Sequence, residues 1–98
     1  METVTISRHG SGDAGQYRAH VEGCDDIGLL TWVRRGNARV ADHTLAPPEI
    51  GRRGVAAKLV EALVDDAREQ GFFIVPTCSY VAAAFKRHPE WGDLLPRL

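Results

Sequence analysis

Hydrophobic and polar positions change their rhythm once along this chain of 98 residues, from strand-like alternation to a helical period. From Val4 to Ser7 the residues alternate, HGSGDAG interposes three glycines and an aspartate, and Gln16–Glu22 alternates again, which predicts a two-stranded hairpin. The turn GCDDIG leads to a third strand over Leu29–Arg34, and RGN joins it to a fourth over Ala38–Leu45, where Val40 and Thr44 are β-branched. Pro47-Pro48 stops that strand, Gly51 and Gly54 loosen the backbone, and a helical period starts at Val55. Ala56, Leu59, Val60, Leu63, Val64 and Ala67 form its apolar stripe, and Glu61, Asp65, Asp66 and Glu69 read as its solvated face. Gly71 stands where a left-handed cap belongs, Phe72–Val75 reads as a buried fifth strand stopped by Pro76, and Ser79–His88 is a second helix ended by Pro89. Trp91, Leu94 and Leu95 are left to pack as a last turn.

The order ββββ-α-β-α predicts an α/β fold in the α+β sense, with a mixed, mainly antiparallel sheet of five strands. A crossover helix between the fourth and fifth strands makes that pair parallel, with a right-handed connection. A chain of this length supports one core, so residues 1–98 are expected to form one domain.

A hydrophobic fraction of 44% with 26% charged residues is ordinary for a globular protein. With 12 Lys+Arg against 13 Asp+Glu, no global field draws the chain onto nucleic acid or an anionic membrane. A nucleic-acid surface built on Arg34, Arg35, Arg39, Arg52 and Arg53 is disfavoured by that balance and by the lack of interleaved exposed aromatics. No run approaches a membrane span and METVTISRHG lacks the build of a secretory signal, so a cytoplasmic location is expected. Cys24 and Cys78 are then free thiols, and with His9, His20, His43 and His88 they form no zinc-ligand spacing.

The segment from Pro47 to Ala57 joins a strand to the opening of the long helix. Helix-opening N–H groups lack internal partners and the macrodipole is positive there, so a phosphate can accept their bonds. Gly54 lets an anion approach the backbone, Ala56 and Ala57 leave the opening uncrowded, and Arg52 and Arg53 add mobile positive charge. Neither G-x-G-x-x-G nor the P-loop GK[ST] is present, which argues against dinucleotides and nucleoside triphosphates.

PPEIGRRGVAAKLVEALVDDAREQG resembles the acetyl-CoA-binding motif A of the GNAT (GCN5-related N-acetyltransferase) superfamily, [Q/R]-x-x-G-x-[G/A], with Gly54 and Ala56 on motif positions. The first motif position falls on Gly51, where the family has Gln or Arg, and Arg52 is the residue that could replace that contact. DHTLAPPEI together with VPTCSYVAAAFKRHPEW is similar to the small YjdJ-type subfamily, and the likeness runs from about Val4 to Trp91. The resemblance implies a minimal GNAT fold splayed between the fourth and fifth strands, with pantetheine in the gap along Thr44, Leu45 and Ala46. It further implies that acetyl-CoA is bound by Gly51, Arg52, Arg53, Gly54, Val55, Ala56 and Ala57, with Tyr80, Lys86 and Arg87 able to reach it. Larger members place two helices where this chain has a Gly-rich loop. Those helices shape the acceptor pocket, so the acceptor does not carry over.

Acyl transfer to an amine needs a neutral nucleophile, a polarised thioester and a proton for the departing thiolate. Cys78 opens a helix, where unpaired N–H groups lower a thiol pKa below about 8.5; it could form an acyl-enzyme or protonate the CoA sulfur, or merely pack as a small hydrophobe. His43 could deprotonate the amine or be hydrogen-bonded within the sheet, and alternation turns Asp42 to the opposite face. Tyr80 reads as cofactor contact or core, and Lys86 and Arg87 as phosphate contacts or partners of the helix dipole. The expected function is acetyl transfer from acetyl-CoA to a small-molecule amine or protein lysine by a monomer or weak dimer. The alternative is a CoA-binding module without turnover, motivated by the missing acceptor segment and by Gly51.

Overall fold

The computed structural model describes residues 4–23, 25–46 and 54–96. Five strands, β1 (Val4–Gly10), β2 (Ala14–Val21), β3 (Ile27–Arg35), β4 (Ala38–Leu45) and β5 (Phe73–Pro76), lie in the order β1-β2-β3-β4-β5. The first three pairings are antiparallel and β4–β5 is parallel, as the strand–helix–strand crossover requires. Helix α1 (Val55–Gln70) makes that crossover, and α2 (Ser79–Arg87) and a 3₁₀ turn (Pro89–Leu94) end the chain.

The fourth strand has the bounds its sequence predicts. The first runs further, to Gly10, because His9 and Gly10 of the glycine-rich stretch still pair with Gln16 and Gly15. Gly71 takes the left-handed conformation, φ 79°, and donates its N–H to the Ala67 carbonyl, so a residue without Cβ closes α1.

Alternation decides which sheet face is covered. Tyr17, Ala19 and Val21 of β2, Leu30 and Trp32 of β3 and Ala41 of β4 join Leu59, Leu63, Ala67, Val81, Phe85 and Trp91 in one apolar cluster. Their neighbours of opposite parity, Gln16, Arg18, Leu29, Thr31 and Val33, are only partly buried.

Asp66 is not on the solvated face of α1. It is 6% exposed. Its position, three after Leu63 and four after Ala62, puts it on the buried stripe that alternation of polar letters alone conceals. Arg8 Nε donates to both its oxygens, at 3.1 and 2.9 Å, and the Tyr17 hydroxyl donates to Oδ2 at 2.8 Å. The carboxylate thus ties β1 and β2 to α1 with its acceptors satisfied, the condition under which a buried charge is tolerated. Asp66→Ala removes the acceptor of the Tyr17 hydroxyl and unpairs Arg8. It is expected to lower the unfolding free energy by about 2–4 kcal/mol, against about 1 kcal/mol for Tyr17→Phe. Urea titration by circular dichroism measures both, and near-equal losses would contradict the account.

Candidate functional site

The fifth strand is four residues long and ends on Pro76, which has no N–H to extend a ladder. Its pairing with β4 therefore covers only Ala38–Ala41 against Phe73–Pro76. Beyond it the Ala41 carbonyl accepts the Cys78 N–H at 3.0 Å and the Thr77 hydroxyl at 3.1 Å, and the chain turns into α2. The rest of β4, Asp42 to Leu45, pairs with β3 alone, so the two parallel strands part at Ala41.

Cys78 stands at this parting as the N-cap residue of α2, with extended backbone. It is a free, half-buried thiol whose Sγ lies 3.5 Å from Thr44 Oγ1. Partial burial pushes the thiol up. The Thr44 hydroxyl and the backbone at Val81, Tyr80 and Thr44 outweigh it, and the net result is a lowered pKa. A hydroxyl can accept from the thiol and donate to the thiolate, and the helix-opening N–H groups favour the anion alone.

His43 is held elsewhere. Trp32 stands opposite Ala41 and Thr31 opposite His43, so Asp42 is an extra residue on β4, a β-bulge. Leu30 of the covered face pairs with Thr44, and Thr31 of the other face pairs with His43. Cys78, bound to Thr44, and the exposed His43 thus belong to opposite faces. The bulge also overturns the expectation that alternation separates Asp42 from His43. Thr31 donates to Asp42 Oδ1 at 2.6 Å, so the carboxylate shares the face of Thr31 and His43.

Of the expected cofactor contacts, Gly51, Arg52 and Arg53 lie outside the described residues. Gly54 is the N-cap of α1 with φ 73°, left-handed, and a Cβ there would meet no atom of the described residues within 4 Å. Its lack of a side chain thus serves the backbone turn. Among the described residues the helix opening has no side-chain cap, and its first turn holds no acidic residue. Val55 is fully buried and can offer only its backbone, whereas Ala56 and Ala57 are partly and fully accessible. Thr44 and Ala46 are half-buried and Leu45 is exposed on the face of its partner Leu29. Tyr80 is exposed, which rules out the core reading, and with Ala57 and Arg87 it lines one groove between α1 and α2. Lys86 is exposed on the last turn of α2 and is not part of that groove. Among the described residues, no group of three or more His, Cys, Asp or Glu could hold a metal ion, and no helix is long and apolar enough to cross a membrane.

Sequence reasoning missed the Thr44 hydroxyl as partner of Cys78, since only the register aligns residues so far apart. It also missed the bulge, whose signal was the polar pair Asp42-His43 interrupting the alternation.

Thr44→Val preserves side-chain shape and removes the hydroxyl, so it is expected to raise the Cys78 pKa. In a Cys24→Ser background, the pH midpoint of iodoacetamide alkylation should move upward. An unchanged or lower midpoint would refute the role given to Thr44.

A family model described as GCN5-related N-acetyl-transferase matches residues 16–94 of this chain. Among solved structures, the fold is similar to the solution NMR structure of a GCN5-like protein from Staphylococcus aureus, with a TM-score of 0.71. The two share 24% sequence identity over 96% of this chain and 89% of that one, a likeness that speaks for the fold.

Proposed function

The chain belongs to the GCN5-related N-acetyltransferase family, and from that premise we propose that it is an acetyl-CoA-dependent N-acetyltransferase of the small YjdJ type in which Cys78 carries the acyl group. The supporting observation is the thiol's setting: Sγ stands 3.5 Å from the Thr44 hydroxyl, at a helix opening, where β4 and β5 part. A lowered thiol pKa enlarges the thiolate fraction at a given pH, which suits a nucleophile.

When bound, acetyl-CoA supplies an activated thioester. The backbone of Asp42–Leu45, unpaired on the side of β5, suits the amides of the pantetheine arm. The N–H groups opening α1 suit a pyrophosphate, with Arg52 and Arg53 beside them in sequence. Tyr80 and Arg87 continue from Ala57 along one groove, and Lys86 adds a cation for the phosphates of the nucleotide end.

Cys78 as thiolate attacks the thioester carbonyl. Its Sγ–C bond forms, the C–S bond to coenzyme A breaks, and the departing thiolate takes a proton from solvent. A neutral amine then attacks the acyl-Cys78 carbonyl, an amide forms, and Cys78 leaves as thiolate while the surplus proton passes to a base on the amine's side. His43 lies on the opposite face of the sheet from Thr44 and Cys78, so it would receive that proton only through solvent and does not activate the thiol. The acceptor is a small-molecule amine or a protein lysine. The short Ser11–Asp13 connection between β1 and β2 carries no helix, which favours an acceptor that brings its own binding surface.

The same short connection motivates the second reading, a CoA-binding module without turnover. Intact-mass spectrometry after mixing with acetyl-CoA separates the two. The enzyme reading expects one acetyl group on Cys78, and a Cys78→Ala variant whose amine acetylation falls by at least about 100-fold, the lower range for loss of a chemical group in the transition state. Its acetyl-CoA affinity should stay within about 3-fold, a small free-energy change. Binding without acetylation or thiol release assigns the module. Undiminished turnover by Cys78→Ala rejects the cysteine, and no binding at all rejects both.

A further inference from the structure

Near the C-terminal end of α1, Arg8 and Arg39 line one open pocket of about 190 Å³ together with Ser11, Gln16, Trp32 and Gln70. Asp66 and Tyr17 form its floor. Asp66 lies eleven residues along α1 from Val55, about 16 Å at 1.5 Å per residue, so the pocket is separate from the helix opening.

The two guanidinium groups are prepared differently. Arg8 spends only its Nε on Asp66 among the described residues, and its side chain is 51% exposed, which leaves both Nη groups for another acceptor. Arg39 lies over two aromatic rings, its Cζ 3.9 Å from the Trp32 centroid and 4.1 Å from that of Phe72. Its hydrogen bonds go to the Tyr17 hydroxyl at 3.0 Å and to Gln70 Oε1 at 3.4 Å. Neither partner neutralises it, because burial, together with the bond to Asp66, pushes the Tyr17 phenol up. With His9, which also lines the pocket, counted as neutral, Arg8 and Arg39 against Asp66 leave one net positive charge on the pocket wall. Asp65, which also acts on Arg8, is exposed and does not line the pocket.

We propose that this pocket binds a carboxylate group. A planar acceptor with two oxygens matches guanidinium forks, and a single negative charge matches the one left uncompensated. A phosphate dianion would bring its second charge against Asp66. The volume falls short of the roughly 300–1,000 Å³ of a site for a whole drug-sized ligand, so the pocket takes one acid group. Two sources share that chemistry: a free short-chain carboxylate, and the C-terminal carboxylate of a peptide whose remaining residues run out over the hairpin.

The chain has two tryptophans, and Trp32 lines the pocket while Trp91 does not, so their ¹⁵N indole resonances give a reporter and an internal control. Titration of the full chain with sodium acetate is expected to move the Trp32 signal saturably, with a dissociation constant on the order of millimolar for so small a ligand, and to leave Trp91 in place. Sodium chloride at equal ionic strength should move neither, and inorganic phosphate should bind more weakly than acetate. A short peptide with a free C-terminus that binds at least about 10-fold tighter than its amide and than acetate assigns the peptide source. Equal affinity of peptide acid and acetate assigns the free carboxylate. Arg39→Gln should abolish the shift. Because Arg39 also lies over two rings, Arg8→Lys, which keeps the charge and loses the fork, provides a second variant, expected to weaken acetate by at least about 5-fold. No saturable Trp32 shift in the wild type, or shifts equal for chloride and acetate, or phosphate binding more tightly, would overturn the proposal. None of these readings involves acetyl-CoA, so their failure is separate from failure of the enzyme reading.

Discussion

The carbonyl of Ala41 accepts two hydrogen bonds from the residues just after β5, and the rest of the site depends on that junction. Parallel strands stay together only while each supplies N–H and C=O groups in register, and β5 ends after four residues on a proline. The Thr77 hydroxyl and the Cys78 N–H take the next ladder position and turn the chain into α2. Among the described residues the backbone from Asp42 onward has no strand partner on that side, and the Cys78 thiol stands at the fork beside Thr44. One short strand thus produces both the gap and the residue that borders it.

The β-bulge at Asp42 then sorts the polar groups around the gap. By adding one residue to β4 it sets Thr44 on the face of the apolar core, next to Cys78, and His43 with Asp42 on the face of Thr31. The Asp66 network towards the other end of α1 holds that helix against β1 and β2.

Much of this was legible in the residues. Alternation, turn glycines and the period from Val55 lead to five strands and two helices in the observed order, and the crossover logic makes β4 and β5 parallel. Cys78 at a helix opening could be read from its place between Pro76 and the apolar stretch that follows. What could not be read were the features that only register supplies. A bulge inverts the parity of every later residue on its strand, so Asp42 and His43 were assigned by an alternation that fails at that point. Asp66 was misread for a different reason: a charged residue on a helix looks solvated until the partners that satisfy it, Arg8 and Tyr17, are brought in from strands far away in the chain.

The claim at the centre of this account is that coenzyme A enters the opening between β4 and β5. Amide hydrogen exchange resolved by residue, with and without coenzyme A, tests it most directly. Exchange within residues 42–45 and at the opening of α1 should slow on binding while the β1–β2 hairpin is unaffected. Protection confined to the hairpin, or none at residues 42–45 under saturating coenzyme, would contradict it.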